Sequence, residues 1–504
     1  MLSTLILLPI VGAILISLIP KNAPQGRSRI LALILASLLL IFSFILLGKF
    51  DIHNPSLQFS EFLPWIKPLG LNYRLGIDGL SLPLLILNSI LTWIVIYSSD
   101  DKTSRSKLFY SLIFLVNAGV AGAFAAQNIL LFVLFYELEL IPLYLLIAIW
   151  GGQKRDYAAM KFLIYTAVSG ILILAAFLAL AFLNGSLTFD YVSLNTQKLS
   201  STLQSVLLVT LLIGFGIKTP LVPLHTWLPD AYVEASTPVA ILLGGVLAKL
   251  GTYGLIRFCL GLFPEAWANL APSLALWGTI SVLYGAITAI AQKDIKRMVA
   301  YSSIGHMGYI LVACAALTPL GMVGAISQMV SHGLILALLF HLVGVIESKV
   351  GTRDLDVLNG LMNPVRGLPL TSALLVLAGM ASAGIPGLVG FVAEFLVFQG
   401  SFAVYPWETI LLVVSSGLTA VYFVILLNRT CFGKLDNYTA YYPKILSWER
   451  TTALILMALI FFLGVQPTWL VRWSESTSNA LVATVANSNS QNLATTINSS
   501  VISE

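Results

Sequence analysis

Six ionisable side chains lie inside long apolar stretches of this sequence, where a charge is costly. They are Glu137, Lys218, Lys249, His306, His332 and Glu394. A charged side chain at the centre of a bilayer costs roughly 2.5–3.5 kcal/mol on insertion scales. The series holds an acid, two bases, two imidazoles and a second acid, which are the groups that a proton relay uses. We therefore predict that these six residues form a relay for protons.

The chemistry of such a relay depends on protonation states that neighbouring charges can change. Burial disfavours the charged form of an acid or a base, and a nearby opposite charge favours it again. If Glu137 pairs with Lys218, the lysine keeps its proton until the glutamate moves or loses its charge. A purely structural salt bridge would use the same two residues, and the sequence leaves both interpretations open. A structural pair would not account for Lys249 and Glu394.

Other polar residues in the same region have simpler interpretations. Glu139 follows Glu137 by two positions, so it points about 200° around the helix. We expect it to face another neighbour, such as an adjacent subunit. His341 is expected to be a hydrogen-bonded packing residue, because a single membrane histidine more often has that role.

A second set of charges stands near helix ends or in loops. Asp78 and Asp230 are predicted to be capping or interface residues. Asp294, Lys296 and Arg297 form a cluster that we expect to be solvated loop charges.

The composition requires a membrane environment for these residues. Of the 504 residues, 58% are hydrophobic and only 10% are charged, with a mean hydropathy of +0.92. A soluble domain carries about 25% charged residues. The cysteines Cys259, Cys314 and Cys431 lie far apart in apolar stretches, a spacing that predicts buried hydrophobes and no metal site or cluster.

Apolar runs of roughly 18–25 residues, the length that crosses a bilayer, predict an all-α polytopic membrane protein of about fourteen transmembrane helices. The first run lacks a basic leader and a cleavage site, so it is expected to be a retained helix. The predicted helices are 2–20, 29–48, 76–98, 107–125, 128–149, 158–184, 204–228, 237–262, 272–292, 295–317, 320–346, 369–404, 407–428 and 447–472.

Two of the predicted helices are broken beside an ionisable residue. Helix 7 reads GFGIKTPLVPLHTWLPD, and helix 12 reads GMASAGIPGLVGFVAEF. Breaks at matching positions indicate two inverted five-helix repeats with polar sites at the midplane, although ordinary kinks would look alike. The predicted organisation is helices 1–3 in 1–106, the first repeat in 107–262, the second in 272–432, a last helix in 433–472 and a polar, mobile tail in 473–504.

The loops on one side of these helices carry about three times as many Lys and Arg residues as the others, which predicts that they face the cytoplasm. With fourteen helices, both termini then lie on the outer side, in the periplasm or the thylakoid lumen.

Several stretches, in order, resemble one family. They are YELELIPLYLLIAIWG, GIKTPLVPLHTWLPDAYVEASTPVAILLGGVLAKLGTYGLIRF, KDIKRMVAYSSIGHMGYI, SQMVSHGLILALLFHLVG and GIPGLVGFVAEF. They resemble the antiporter-like membrane subunit, chain 4, of complex I and of the NAD(P)H-quinone dehydrogenase of cyanobacteria and plastids. The resemblance covers residues 1–472, and Glu394, where sister subunits usually carry lysine, is similar to the chain 4 type.

This resemblance implies roles for the residues that match the family's motifs. Glu137 and Lys218 correspond to its fifth-helix glutamate and broken-helix lysine, and Lys249 to its central lysine. The two histidines match its connecting residues, and Glu394 matches its last ionisable group. The implied function is proton translocation coupled to quinone reduction elsewhere in a large oxidoreductase complex.

The resemblance also implies partners and a location. The chain itself would hold no cofactor, while partner subunits of the membrane and hydrophilic arms would hold plastoquinone and iron–sulfur clusters. The expected setting is the lipid bilayer of a cyanobacterial thylakoid, with no nucleic acid.

Two departures from the family's motifs bear on the kind of complex to which this chain belongs. Tyr136 stands where the family more usually has Trp, and Tyr232 stands where a histidine is common. The chain is therefore similar to the divergent copies that serve carbon dioxide uptake, with a carbonic-anhydrase-like partner. Two other interpretations stay open: a subunit of a multi-subunit cation/proton antiporter, and an assembly subunit with a vestigial relay.

Overall fold

The computed structural model describes residues 1–20, 24, 26–100, 103–185, 188–434 and 442–487. The first half of the chain contains α1 (Leu2–Ser17), α2 (Arg27–Lys49), β1 (Gln58–Ile66), β2 (Leu71–Ile77), α3 (Ser81–Tyr97), α4 (Ser106–Ala125), α5 (Ile129–Leu138), α6 (Leu140–Trp150), α7 (Arg155–Leu183), α8 (Ser201–Lys218), α9 (Trp227–Glu234), α10 (Thr237–Leu242) and α11 (Ala248–Gly254). Two π-helical turns, Leu243–Leu247 and Leu255–Leu260, continue α10 and α11 into one span.

The second half begins at α12. It contains α12 (Pro264–Ile290), α13 (Ile295–Ala315), α14 (Pro319–Val350), α15 (Pro369–Ser382), α16 (Val389–Phe402), α17 (Pro406–Thr430), α18 (Ser447–Val465) and α19 (Thr468–Val471).

The number of membrane spans agrees with the sequence prediction. Eleven helical stretches in the described residues are long and apolar enough to cross a membrane, and α1, α3, α15 and α16 are shorter apolar helices. Since α15 and α16 together make one broken span, fourteen spans result. Most residues of α14 and of the span 237–260 are buried, whereas only 33% of the most apolar stretch of α2 is buried. These buried spans form the centre of the bundle, and α2 faces outward, where lipid would contact it.

Both predicted breaks are present. The seventh span stops at Lys218 and resumes at Trp227, and the twelfth stops at Ser382 and resumes at Val389. Each break is in the fourth of five consecutive spans, α4 to residue 260 and α12 to α17. Because five is odd, the second set begins on the opposite side of the membrane from the first. This is the arrangement expected of inverted repeats.

One hairpin departs from the predicted all-α fold within the described residues. Strands β1 and β2 pair antiparallel, and the third span begins at Ser81 and not at 76 because the chain is still extended there. Asp78 caps α3, its Oδ1 accepting from the backbone N–H groups of Leu80 at 3.1 Å and Ser81 at 3.2 Å.

The expectation of a mobile tail from residue 473 is wrong for its first part. Residues 475–487 are helical, and hydrogen bonds attach this segment to the chain around the hairpin. Thr477 Oγ1 accepts from the Gly79 N–H at 2.9 Å, and Ser476 Oγ donates to the Ile52 carbonyl at 2.6 Å. Small polar side chains lack a hydrophobic signal, so the sequence did not reveal this docking. The rest of the tail lies outside the described residues.

Candidate functional site: a buried polar axis

The first buried ion pair joins the α5–α6 junction to the end of α8. Glu139 Oε1 accepts a hydrogen bond from Lys218 Nζ at 2.5 Å, and both side chains are at most 1% exposed. The ammonium also lies 4.6 Å from the centroid of the Tyr136 ring, whose π face attracts a cation. Tyr136 is held in turn by a 2.9 Å hydrogen bond between its hydroxyl and Ser169 Oγ. Lys218 is thus surrounded by protein, with Glu139 as its counter-charge.

The expectation that Glu139 faces an adjacent subunit is therefore wrong. Glu137 is the carboxylate that points elsewhere: it is partly exposed and lies against α7 at Gly170. A Cβ atom on Gly170 would approach Glu137 Oε1 to 1.7 Å, so any larger residue at position 170 would require this carboxylate to move. The two glutamates do face different directions, as their spacing requires. The rotation of the helix in the bundle brings Glu139, and not Glu137, to Lys218.

Lys249 follows a π-helical turn at the centre of the bundle. Its ammonium donates to the Gly244 carbonyl inside that turn at 2.5 Å and lies 2.8 Å from His332 Nδ1. Lys249 is completely buried. π-helical turns occur frequently at functional sites, since they expose groups that a regular helix would pair. Here the turn supplies an oxygen partner to a lysine that has no carboxylate beside it in the described part of the chain.

Three more ionisable groups continue from Lys249. The rings of His332 and His306 have centroids 5.4 Å apart, and His306 Nδ1 lies 3.6 Å from Glu394 Oε1. Gln328 Nε2 is 3.1 Å from the same imidazole nitrogen. Ser382, the last residue of α15, contacts the other nitrogen of His306 at 3.2 Å. The structure thus brings together four of the predicted residues, Lys249, His332, His306 and Glu394, in one continuous series.

A small cavity lies beside this series. Its volume is about 10 Å³, roughly the space of one water molecule. Several polar atoms of its lining are buried and have no hydrogen-bond partner among the described residues: Gln328 Oε1, Ser331 Oγ, His332 Nε2 and Glu394 Oε1. Buried polar groups without partners are costly, so such a cavity is suited to ordered water.

Thr219 lies where the end of α8 meets α11, the helix that contains Lys249. It is adjacent to Lys218, and a Cβ atom on Gly251 would lie 2.4 Å from its Oγ1. That hydroxyl is buried and is without a partner in the described part of the chain. Sequence reasoning did not select Thr219, because one threonine beside a break carries no distinguishing signal.

The two repeats place ionisable pairs at equivalent positions. In the first repeat, Glu139 in the second span pairs with Lys218 at the break of the fourth. In the second repeat, His306 in the second span lies beside Glu394 just after the break of the fourth. The acid is thus in the second span of the first repeat but in the fourth span of the second repeat, and the base has the reverse arrangement. Each break therefore positions an ionisable group against a partner two spans earlier.

The loop cluster that we expected to be solvated is largely paired or buried. Lys296 is only 2% exposed, and its ammonium donates to a backbone carbonyl at 2.6 Å, so the prediction for this residue is wrong. Asp294 caps α13 by accepting from two backbone N–H groups. Asp230 accepts from Lys161 at 2.7 Å and Arg297 at 3.2 Å. These contacts tie helices together at one end of the bundle.

An exposed pair lies at the same end. Lys293 Nζ donates to Asp356 Oδ2 at 2.7 Å, and Arg429 donates to the other oxygen at 2.6 Å. The hydrogen bond and the charge of Lys293 hold the pKa of Asp356 below its ordinary value. Exposed ion pairs of this kind contribute little to stability.

Three further polar contacts lie outside the axis. Arg257 Nη2 donates to both carboxylate oxygens of Asp78, at 2.7 and 2.6 Å, so Asp78 is an ion-pair partner as well as a cap. His341 Nε2 lies 2.7 Å from the Glu449 carbonyl, in agreement with a packing role. Lys349 pairs with the Glu449 carboxylate at 2.9 Å.

The three cysteines are buried, as their apolar surroundings in the sequence predicted. All three are free. Within the described residues, no group of three or more His, Cys, Asp and Glu side chains could hold a metal ion.

The fold corresponds to a known class of membrane subunit. The family described as "NADH:quinone oxidoreductase/Mrp antiporter, TM" matches residues 126–419. A subunit of the respiratory complex I of Thermus thermophilus superimposes with a TM-score of 0.87 at 28% identity, over 96% of this chain and 100% of that one. A chain of the Mrp complex of Dietzia sp. has the same fold, with a TM-score of 0.86 at 20% identity, over 95% of this chain and 97% of that one.

Curated relatives identify a narrower group within this class of membrane subunit. The NAD(P)H-quinone oxidoreductase chain 4 1 of Picosynechococcus sp. is 43% identical over 86% of this chain and 82% of its own length. The chain 4 protein of Acaryochloris marina is 39% identical over 96% and 92%, respectively. The chain belongs to this family of antiporter-like membrane subunits, in its chain 4 group.

Proposed function

We propose that this chain moves protons across the membrane as a subunit of an NAD(P)H-quinone oxidoreductase complex. The observation that carries the proposal is the buried series Lys249–His332–His306–Glu394, in which each group can exchange a proton with the next directly or through one water. Titratable groups at membrane depth are rarely retained without such a use. The relatives named as oxidoreductase chains support the assignment to that complex.

Each residue has a distinct part in the proposed relay. Lys249 donates a proton from Nζ to His332 Nδ1, which leaves a neutral amine and an imidazolium. The proton passes to His306, through the water-sized cavity, and then to the Glu394 carboxylate 3.6 Å away. The Glu394 Oε2 atom accepts from Ser416 at 2.9 Å, so Oε1 is the oxygen available for the proton.

The Glu139–Lys218 pair would control the supply to Lys249. While Glu139 is ionised, Lys218 keeps its proton, because the counter-charge at 2.5 Å stabilises the ammonium. If the Glu139 carboxylate withdraws or is protonated, Lys218 can release its proton towards Lys249 past Thr219. Glu137, which is partly exposed beside α7, would exchange protons between this pair and a neighbouring subunit.

The surroundings of the chain follow from the same proposal. Its partners are the other membrane-arm subunits and the hydrophilic arm, where plastoquinone and iron–sulfur clusters reside, and quinone reduction there supplies the energy. The membrane is the cyanobacterial thylakoid, and both termini face the lumen.

We further propose that the complex is the form that serves carbon dioxide uptake and that it contains a carbonic-anhydrase-like subunit. The two departures from the family pattern lie at the axis. The Tyr136 ring faces Lys218, and the Tyr232 hydroxyl donates to the Leu243 carbonyl, at the start of the π turn, at 3.0 Å. Mass spectrometry of the tagged complex, isolated in mild detergent, tests the form. A carbonic-anhydrase-like protein among the bound subunits supports it, and its consistent absence contradicts it.

A second candidate is a subunit of a cation/proton antiporter, favoured by the shared fold with the Mrp complex. The same purification separates the two functions. Hydrophilic dehydrogenase subunits in the complex support the oxidoreductase, whereas antiporter subunits alone would support the second candidate.

Proton transfer is tested on the complex in inverted membrane vesicles. His332→Asn removes a group of the proposed relay, and His341→Asn on the same helix is the matched control, because within the described residues the hydrogen-bond partner of His341 Nε2 is a backbone carbonyl. We expect donor-driven acidification of the vesicles to fall by a factor of about 10² or more for His332→Asn and to persist in the control. Equal acidification by the two variants, at equal assembly, would refute the relay.

A further inference from the structure

An apolar crevice opens on the outside of the bundle, away from the polar axis. Its volume is about 260 Å³, and it lies between α2, α3, α14, α18 and the segment around α19. The lining is entirely apolar or aromatic and includes Phe44, Val330, Leu459, Phe462, Trp469 and Trp473. Phe44, Phe462 and Trp469 are 43% or more exposed, so the crevice is accessible from the membrane.

One cation stands at the mouth of this crevice. The guanidinium carbon of Arg472 lies 3.8 Å from the centroid of Trp469 and 4.3 Å from that of Trp473. Arg472 forms no ion pair with a carboxylate of the described residues, and its Nε is buried without a hydrogen-bond partner there. Glu475, three residues further on, is exposed. The guanidinium is therefore held against two rings and forms no ion pair in the described part of the chain.

The position along the membrane is that of a lipid headgroup. Arg472 lies just after α19, and the helical segment 475–487 that follows is hydrogen-bonded to the chain around the hairpin, outside the spans. Tryptophan and arginine are typical of this interfacial level, where an aromatic ring contacts acyl chains and a charge reaches the polar layer.

We propose that the crevice binds one anionic glycerolipid, with an acyl chain between α3, α14 and α18 and the headgroup on Arg472. The volume suits a narrow flexible chain, because a helix of a neighbouring subunit is about 10–12 Å wide with its side chains. A phosphate or sulfonate oxygen matches the free N–H donors of the guanidinium, which favour planar anionic groups. A zwitterionic headgroup would bring its own cation and gain less from Arg472.

The test uses the purified complex in nanodiscs that contain equal amounts of phosphatidylglycerol and phosphatidylcholine, followed by native mass spectrometry of retained lipid. In the unmodified protein we expect phosphatidylglycerol to be enriched about fivefold over phosphatidylcholine, the ratio that corresponds to about 1 kcal/mol for one basic residue. No enrichment would overturn the proposal, and this comparison needs no variant.

Two variants then locate the site. Arg472→Gln removes the charge, and Val330→Trp fills the crevice from its partly exposed wall. We expect both to lose the enrichment. The matched controls are Lys198→Gln, an exposed cation elsewhere, and Val209→Trp on the outward face of α8, and both are expected to retain it.

Two results would contradict the assignment. One is unchanged retention of phosphatidylglycerol in Arg472→Gln and Val330→Trp. The other is efficient crosslinking of a cysteine at Leu459 to a neighbouring subunit, which would show that a protein helix covers the crevice.

Discussion

Removal of the Glu139 carboxylate tests which glutamate is the counter-charge of Lys218. The structure pairs Lys218 with Glu139, whereas the sequence suggested Glu137. Glu139→Gln keeps the size of the side chain and deletes the counter-charge 2.5 Å from Lys218 Nζ. At that separation two unit charges attract by about 7 kcal/mol at an effective dielectric constant of about 20. Desolvation offsets part of this attraction, and removal of one partner of a buried pair typically costs about 3–5 kcal/mol.

Glu137→Gln is the matched variant, since Glu137 is two residues away, carries the same charge and does not hydrogen-bond to Lys218 in the described structure. We expect Glu139→Gln to lower the thermal stability of the purified complex clearly more than Glu137→Gln. The double variant Glu139→Gln/Lys218→Met removes both charges and should recover most of that stability. Acidification of inverted vesicles should be lost in Glu139→Gln and should stay lost in the double variant, because Lys218 belongs to the proposed relay.

The outcome that refutes this reasoning is specific. If Glu137→Gln destabilises the complex as much as Glu139→Gln, and the double variant recovers nothing, then Glu139 is not the counter-charge of Lys218. Recovery of acidification in the double variant would instead show that the pair is only structural.

Three further predictions concern other parts of the chain. Arg257→Met leaves Asp78 buried without its partner, so we expect a loss of about 3–5 kcal/mol in stability, visible as a lower melting temperature, while assembled complex still acidifies vesicles. Gly384→Ala should cost about 1–2 kcal/mol and reduce acidification, because Gly384 has φ = +68° and its Cβ would lie 2.6 Å from Glu394 Oε2; a Gly417→Ala control, which meets nothing within 4 Å, should be neutral. Burial alone would raise the pKa of Glu61, but hydrogen bonds from the N-terminal amine and Ser3 outweigh it and hold that pKa below the ordinary 4.5. The stabilisation that the Glu61 carboxylate contributes is therefore present above about pH 4.5 and is lost as the pH falls through the lowered pKa. The difference in melting temperature between the unmodified protein and Glu61→Gln should accordingly shrink from about pH 7 to about pH 3.

The sequence predicted the spans well because length and polarity act locally. A run of apolar residues must cross the bilayer as a helix whatever surrounds it, since its backbone has no other way to satisfy its hydrogen bonds. The breaks after Lys218 and before Glu394 followed from proline and glycine for the same local reason. The hairpin of β1 and β2 and the docked segment 475–487 were missed, because short strands and small polar side chains carry weak signals.

The candidate site was predicted as a set of residues and not as a set of contacts. Lys249, His332, His306 and Glu394 come together as expected from their occurrence at membrane depth. The partner of Lys218 was missed, because the rotation of α5 and α6 depends on how the helices pack. The burial of Lys296 was missed for a similar reason. Its position next to a loop predicted exposure to solvent, but another part of the chain packs over it.

The sequence by itself therefore determined that this is a membrane bundle of fourteen spans with two breaks and a series of buried acids and bases, because each of those features depends on a short stretch of chain. Only the tertiary structure decided which groups meet: Glu139 with Lys218, His332 with Lys249, and His306 with Glu394. These pairs join residues far apart in the sequence, and helix rotation and close packing between spans, which no local pattern encodes, fix their distances.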